Sequence, residues 1–412
     1  MQRLVCLFLL LTTGLYAQEF TFNQVETQSL VLYEKSDWNG LISWEQTLKN
    51  QNIDYYHYNV RLGVAYFKVK DYYGAEKYFN KSIQNNSTDF ALEYLYWTYI
   101  NLGQINRAKE IHIQLSDEVR KKILNENKYI ESVYLEGGVK FSNNYLKGNL
   151  EYASVSIAHR VNHQFTFVSG AGAILQKSLH DKVDQYQYNI FPSYYLKNGY
   201  TVNAGFMYAY NKFIGDHRIP SKTNINETVN NHTDAKINNM AYHIAVSKQY
   251  KRLYSELYGF YLQQNFKGTH TNIYEAGKDE FSAKTYILGV NISYVLPVLQ
   301  NRFALGSMIF SASDSNTKNM FLAPYFSVRI SPDIFMKTIY YPVNKTLFVD
   351  KEAGIFFTNN NLQIDRIASI WTWSISKKWQ LVGTYSYENI ISDLPHLSHH
   401  LNSCFAGVNY TF

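Results

Sequence analysis

Apolar side chains recur every three or four positions from about Ser29 to Leu124, the spacing that lays one apolar stripe along a helix. The clearest run is Leu62, Gly63, Tyr66, Tyr72, Ala75, Phe79 and Ser82. Tyr99, Gly103 and Ala108 follow 33 positions after Tyr66, Lys70 and Ala75, and Tyr33, Trp38, Leu41 and Trp44 read as a degenerate earlier copy. Beyond a charged helix end at Asp117 to Lys122 and a linker near Glu126 to Glu131, the period changes to two. Tyr200, Val202, Ala204, Phe206, Tyr208 and Tyr210 alternate with Thr201, Asn203, Gly205, Met207, Ala209 and Asn211, so one face is apolar and the other small or polar. Tyr286 to Tyr294, Trp379 to Tyr387 and Cys404 to Phe412 alternate in the same way.

Strand-like segments centre near Gly138, Val155, Ala171, Ile190, Gly205, Ile244, Gly259, Gly289, Ser307, Tyr325, Thr338, Ile370, Thr384 and Val408, about fourteen in all. Twelve and sixteen stay open, because alternation is less clean near Gly259, Tyr325 and Thr338. Joints at Arg160 to Gln164, Leu196 to Gly199, Gln249 to Arg252, Pro297 to Asn301, Ser331 to Asp333 and Ser376 to Lys378 are short. The intervening ones, Lys212 to Ile237, Lys267 to Ser282, Val343 to Asn361 and Asn389 to Leu401, read as long loops. Short periplasmic turns alternating with longer extracellular loops is the pattern of a transmembrane barrel with both termini in the periplasm. A soluble β-sandwich would have to explain tyrosine faces with no partner sheet. The expected fold class is therefore α+β and multidomain, with N-terminal helical repeats followed by an antiparallel transmembrane β-barrel.

Arg3, the apolar run Leu4 to Leu11, and Leu15, Tyr16 and Ala17 have the order of a secretory signal peptide, with cleavage expected before Gln18. The expected division is a signal peptide at 1–17, a periplasmic repeat domain at 18–125, a linker at 126–132 and an outer-membrane barrel at 133–412. Composition fits: 37 tyrosines and a mean hydropathy of −0.30 suit strands that are apolar on one face only. The formal charge of +6, or about +5 once Arg3 is removed, is too small to suggest nucleic acid. Cys6 lies in the signal and Cys404 has no partner, so no disulfide framework is expected.

The helical half resembles tetratricopeptide repeats in Leu62, Gly63, Tyr66, Ala75, Phe79, Tyr99 and Ala108, which that resemblance makes packing residues of stacked hairpins forming a protein- or peptide-binding surface. The final strand, ending on Tyr410 and Phe412, resembles the signal read by the barrel-insertion machinery of bacterial outer membranes. The combination is similar to exopolysaccharide export barrels and to surface lipoprotein assembly modifiers, and the signal and tyrosine-rich barrel look like Gram-negative Bacteroidetes envelope proteins. These resemblances imply transport: the repeats dock a periplasmic partner or a polysaccharide or polypeptide substrate, and the barrel gives the route or surface display. The alternative is a closed barrel anchoring a scaffold. The partners expected are outer-membrane lipid, the insertion machinery and a periplasmic protein.

On this reading the lumen receives Glu136, Lys140, Asn189, Asn203, His243, Asn291, Arg366, Gln380, Glu388 and Asn409, either lining a hydrated path or forming a plug. His396, His399 and His400 lie near Asp393, at a spacing that suits a transition metal but more often marks a solvated cluster. No metal or other cofactor is expected. Ser398 is too close to His399 for a catalytic pair, and no nucleophile elbow or phosphate loop is present, so no catalytic residue is assigned. A barrel-rim lipid enzyme is the third and weakest class.

Overall fold

The computed structural model describes residues 20–412 apart from 49–50, 52, 103, 124–128, 144–147, 163, 179–180, 197–198, 221–227, 272–275, 297–301, 314–317, 332, 343–344, 351–354, 377 and 392–397. The expected signal peptide, Gly103, Asp393 and His396 lie outside them. The chain divides into two compact units, Met1–Arg120 and Lys121–Phe412.

Among the described residues, seven helices form the first unit and its end: α1 Phe22–Glu34, α2 Trp38–Thr47, α3 Tyr56–Lys68, α4 Tyr72–Asn85, α5 Asp89–Asn101, α6 Ile105–Gln114 and α7 Asp117–Ile123. α1 starts seven residues before the expected Ser29, because Thr21 and Gln24 form a reciprocal capping box that satisfies the first free N–H groups. The turns inside successive hairpins repeat. Asp37 N donates to Leu32 O, Asp71 N to Tyr66 O and Gln104 N to Tyr99 O, each at 2.9 Å, at offsets of 34 and then 33 residues. Asp37 and Asp71 then cap α2 and α4 through the N–H of Gly40 and Gly74. Ser36 and Lys70 carry positive φ values of 55° and 64° in these turns. A side chain costs energy there that glycine does not incur. Lys70→Gly is expected to stabilise the helical unit by up to about 1 kcal/mol, the left-handed cost of about 1–2 kcal/mol relieved less the roughly 0.5–1 kcal/mol of entropy that glycine adds to the unfolded chain, read as a rise in the denaturation midpoint of the 222 nm signal; a fall would remove the strain account.

Leu62, Ala75, Phe79 and Ala108 are fully buried, Tyr99 is 2% exposed, and Tyr66 stacks on Tyr78 at 5.5 Å. Adjacent hairpins are cross-tied by polar groups. Arg61 on α3 reaches Glu26 and Ser29 on α1 at 2.7 and 2.9 Å, and Tyr55 donates to Glu26 at 2.6 Å. Tyr66 and Tyr78 both donate to Glu45, and Arg107 pairs with Glu76. The Arg61 hydrogen bond holds the Glu26 carboxyl below its ordinary value, against the opposing effect of burial. A depressed folded value adds stability above the unfolded value of about 4.3, and that stability is lost as pH falls through the folded value. Wild type should therefore outlast Glu26→Gln in denaturant at pH 7, and the gap should close toward pH 3. A gap that ignores pH would place the effect elsewhere.

The second unit is one antiparallel sheet: β1 Ile130–Ser142, β2 Leu150–Arg160, β3 Phe165–Lys177, β4 Asp181–Tyr195, β5 Tyr200–Pro220, β6 Thr228–Tyr250, β7 Leu253–Thr271, β8 Ala276–Val295, β9 Phe303–Ser313, β10 Lys318–Arg329, β11 Ile334–Tyr341, β12 Lys345–Asp350, β13 Ile355–Ser374, β14 Trp379–Ile391 and β15 His399–Thr411. β1 begins inside the stretch read as linker. Neighbours in sequence pair from β1 to β11 and from β12 to β15; β1 pairs with β15 and β11 with β13. The result is a closed ring of fourteen strands, with β12 attached to the far end of β13, so each of the fourteen expected centres falls on a ring strand. Closure leaves no sheet edge, which is the condition for crossing lipid with strands. Among the described residues, no helix is long and apolar enough to cross a membrane.

Outward positions are exposed and apolar: Leu135, Tyr188, Ile244, Leu257, Tyr286, Leu288, Trp371, Trp373 and Trp379. This is a barrel of the outer-membrane type. Three expected long loops are instead largely strand. β5 and β6 stay paired from Tyr200↔Lys248 to Pro220↔Thr228, β7 and β8 to Thr271↔Ala276, and β12 and β13 fill much of 343–361. The apolar alternation fades in these stretches while the ladder continues, since a strand beyond the lipid needs its partner but no apolar face.

Candidate functional site: the barrel interior

Antiparallel pairing brings like faces together, so the inward residues can be read across the ladder. Lys140 pairs with Ser403 and Leu150; Ser386 pairs with Ser403 and Ala368; Arg366 pairs with Glu388 and Tyr341. Lys140 Nζ lies 2.8 Å from Glu388 Oε2 and Arg366 Nε lies 3.6 Å from Glu388 Oε1, with all three side chains no more than 6% exposed. Two cations share a carboxylate in a water-poor layer, where a charge needs a partner. A second polar group stands across the barrel: Tyr325 donates to Asn291 Oδ1 at 2.8 Å, Asn291 Nδ2 approaches Glu256, and the Lys337 ammonium lies 4.5 Å from the Tyr325 ring centre.

Much of the remaining interior on the β5 to β11 side is apolar, with Asn211, Asn239, His243 and Thr285 buried beside it. Met207, Ala241, Tyr258, Phe260, Leu262, Met308, Phe310, Phe321, Ala323, Tyr325, Ile339 and Tyr341 form one buried cluster, against which Phe191 and Ile287 pack. Rings lie flat against the wall where an inward neighbour is glycine: a Cβ on Gly289 would meet Tyr258, and one on Gly306 would meet Tyr325. The interior is thus a packed core over much of its section. Sequence reading, which expected a mainly polar lumen, missed this cluster. Its signal was present in inward-facing Tyr258, Phe260 and Phe310, whose rings alternate with outward Leu257, Gly259 and Ile309.

A cavity of about 500 Å³ remains on the β1 to β4 and β13 to β15 side. Ser132, Ala158, Gln380 and Asn409 in its lining lie close to the chain's strand termini and the short turns, so it occupies the short-turn half. Further in, Tyr152 meets Phe405 edge to face at 5.5 Å, and Arg366 forms part of the wall.

Of the expected lumen residues, Glu136, Asn189, Arg366, Gln380 and Asn409 line this cavity, while Lys140 and Glu388 form the ion pair beside it. Glu136 accepts from Tyr134 at 2.9 Å. His243 lies against Phe260 at 4.4 Å, and Asn203 accepts from Ser193 at 2.7 Å, and neither is in the lining of this cavity. Tyr152, Gln187, Phe191, Tyr341 and Phe405 were not singled out from the sequence and are brought to the same cavity. Tyr410 lies between Trp379 and Phe412 at 4.7 and 5.0 Å, an aromatic group at the short-turn rim. His399 is buried, His400 bonds the Tyr387 hydroxyl, and the two are not part of a metal-ligating group among the described residues.

No known family model matches the chain, and no characterised protein matches its sequence. Solved structures similar to it include the CymD monoaromatic hydrocarbon channel, at 8% identity over 69% of this chain and 89% of that one with a TM-score of 0.46. A FadL homologue of Pseudomonas aeruginosa gives 8%, 69%, 89% and 0.45. The translocator domain of the autotransporter NalP from Neisseria meningitidis gives 11%, 74%, 97% and 0.38. At these values no residue role is carried across to this chain.

Proposed function

We propose that this chain is an outer-membrane transport protein whose barrel rests closed. The short-turn side is read as the periplasmic side, and the helical unit as a tetratricopeptide-like array that docks a partner or substrate there, of the polysaccharide or polypeptide kind. The observation that carries this reading is the cavity in the short-turn half, whose wall includes Arg366 of the buried Lys140, Arg366 and Glu388 layer and Ile339 and Tyr341 of the aromatic cluster. A cavity bordered by a buried charged layer and a packed aromatic cluster is the geometry expected of a gated route.

A second reading is favoured by the packing itself. Leu262, Ala323 and Ile339 are at most 1% exposed inside the barrel, as in a protein core, which suits a permanently closed anchor for a periplasmic scaffold. Single-channel recording of the refolded chain and of a Tyr258→Ala, Phe310→Ala double variant separates the two. Gated current in wild type, or current released by opening the cluster, supports transport. Silence from both proteins, each shown to be inserted, leaves the anchor.

A further inference from the structure

From the cavity lining we infer that the short-turn half of the barrel is a binding site for a small ring-bearing monocarboxylate, held by its carboxylate at Arg366 and by its rings among Tyr152, Phe191, Ile339, Tyr341 and Phe405. The site is the vestibule of the proposed route, but binding there does not require the barrel to conduct.

Three observations carry it. The cavity, about 500 Å³, falls within the roughly 300–1,000 Å³ typical of small-molecule sites. Its walls are mainly rings and aliphatic groups, with amides at Gln187, Asn189, Gln380 and Asn409 and one carboxylate, Glu136, that accepts from Tyr134, a lining that rewards a flat apolar body carrying few polar atoms. The cation in that lining is Arg366, a planar donor fork that matches a carboxylate in two parallel hydrogen bonds. Its Nε stands 3.6 Å from Glu388, while Lys140 holds the same carboxylate more closely at 2.8 Å, so Lys140 balances Glu388 when Arg366 turns toward a ligand.

The next inward row supplies a further pointer to an acceptor. The hydroxyls of Ser386 and Ser403 face each other across β14 and β15, are 0% exposed and have no hydrogen-bond partner among the described residues. Ser386 is two residues beyond Thr384 and directly across from Ala368, both cavity-lining, and Ser403 is across from Lys140. Buried hydroxyls normally find acceptors. A carboxylate seated at Arg366 brings one to within a side-chain layer of them.

The test uses the full chain in nanodiscs, with empty nanodiscs as blank, and two probes of equal shape: 2-naphthoate and the neutral 2-naphthamide. Naphthoate is expected to bind about tenfold more tightly than naphthamide, the scale of one charge-assisted bidentate contact. Arg366→Gln should erase that preference while naphthamide binding stays the same, and Ser154→Phe, which fills the cavity from β2, should weaken both probes. Equal binding of the two probes by wild type overturns the inference, as does a preference that survives Arg366→Gln. If Arg366→Gln does not fold, Ser154→Phe decides: unchanged naphthoate binding places the probe outside the cavity and overturns the site. Conductance is recorded separately, so absence of binding with intact current rejects the ligand site alone, and binding by a barrel that stays silent both in wild type and in the Tyr258→Ala, Phe310→Ala variant rejects transport alone.

Discussion

Phe79→Ala is expected to destabilise the helical unit by about 3–5 kcal/mol, the cost of removing a fully buried ring whose surroundings cannot collapse to fill the gap. Collapse is limited because the ring is held on two sides. A Cβ built on Gly63 would sit 2.7 Å from it, and Tyr94 stacks on it at 5.4 Å from the next hairpin. The ring thus joins α3, α4 and α5, and a stacked array transmits such a loss to its neighbour because each hairpin is stable only against the next. Denaturant unfolding followed at 222 nm should show the helical transition moved to lower midpoint in the full-length variant, with the folded barrel unchanged in its resistance to heat on a gel. Gly63→Ala should also destabilise, since the methyl group must push the ring aside. A loss under about 1 kcal/mol for Phe79→Ala would mean that the hairpins do not depend on this contact.

The sequence placed Phe79 in the helical core and faced the small residue of α3 toward Ala75; the ring's contacts with Gly63 and Tyr94 were not read from it, though the reason α3 and α4 meet is local. Leu62, Gly63, Ala75 and Phe79 lie on two helices joined by a three-residue turn, so spacing alone brings them together. The barrel wall was legible for a similar reason: alternation in Tyr286 to Tyr294 or Cys404 to Phe412 gave the outward face, and the count of about fourteen came from the alternating segments themselves. The extended hairpins were not legible, because polar strands beyond the lipid have no alternation to read. The interior was half legible. Parity placed Lys140, Arg366 and Glu388 inward, but their meeting depends on ring closure and register, as β1 and β14 stand apart by 248 residues at the Lys140 to Glu388 bond. The aromatic cluster was missed for a related reason: the expectation that lumens are polar outweighed the parity that already put Tyr258, Phe260 and Phe310 inside.

Glu388→Leu should be the most damaging single change in the barrel, at about 3–5 kcal/mol, because it leaves Lys140 and Arg366 in a layer that water scarcely reaches without the carboxylate they share. Lys140→Met should cost much less, since Arg366 then keeps Glu388 and the loss is a partner rather than a charge balance. The double variant Lys140→Met, Glu388→Leu should recover part of the single-variant loss, as it removes one cation with the anion. Guanidinium unfolding in micelles, followed by fluorescence of the outward Trp371, Trp373 and Trp379, gives the three midpoints. The expected order from most to least damaged is Glu388→Leu, then the double variant, then Lys140→Met. A barrel has a second way to answer an unbalanced buried charge, which is to admit water and counter-ions along the lumen. Glu388→Leu that keeps its midpoint but conducts would show the layer to be a seal held by charge pairing. Glu388→Leu that keeps its midpoint and stays silent would show that the two cations have other compensation, and the sealed layer would then owe its closure to the aromatic cluster rather than to Glu388.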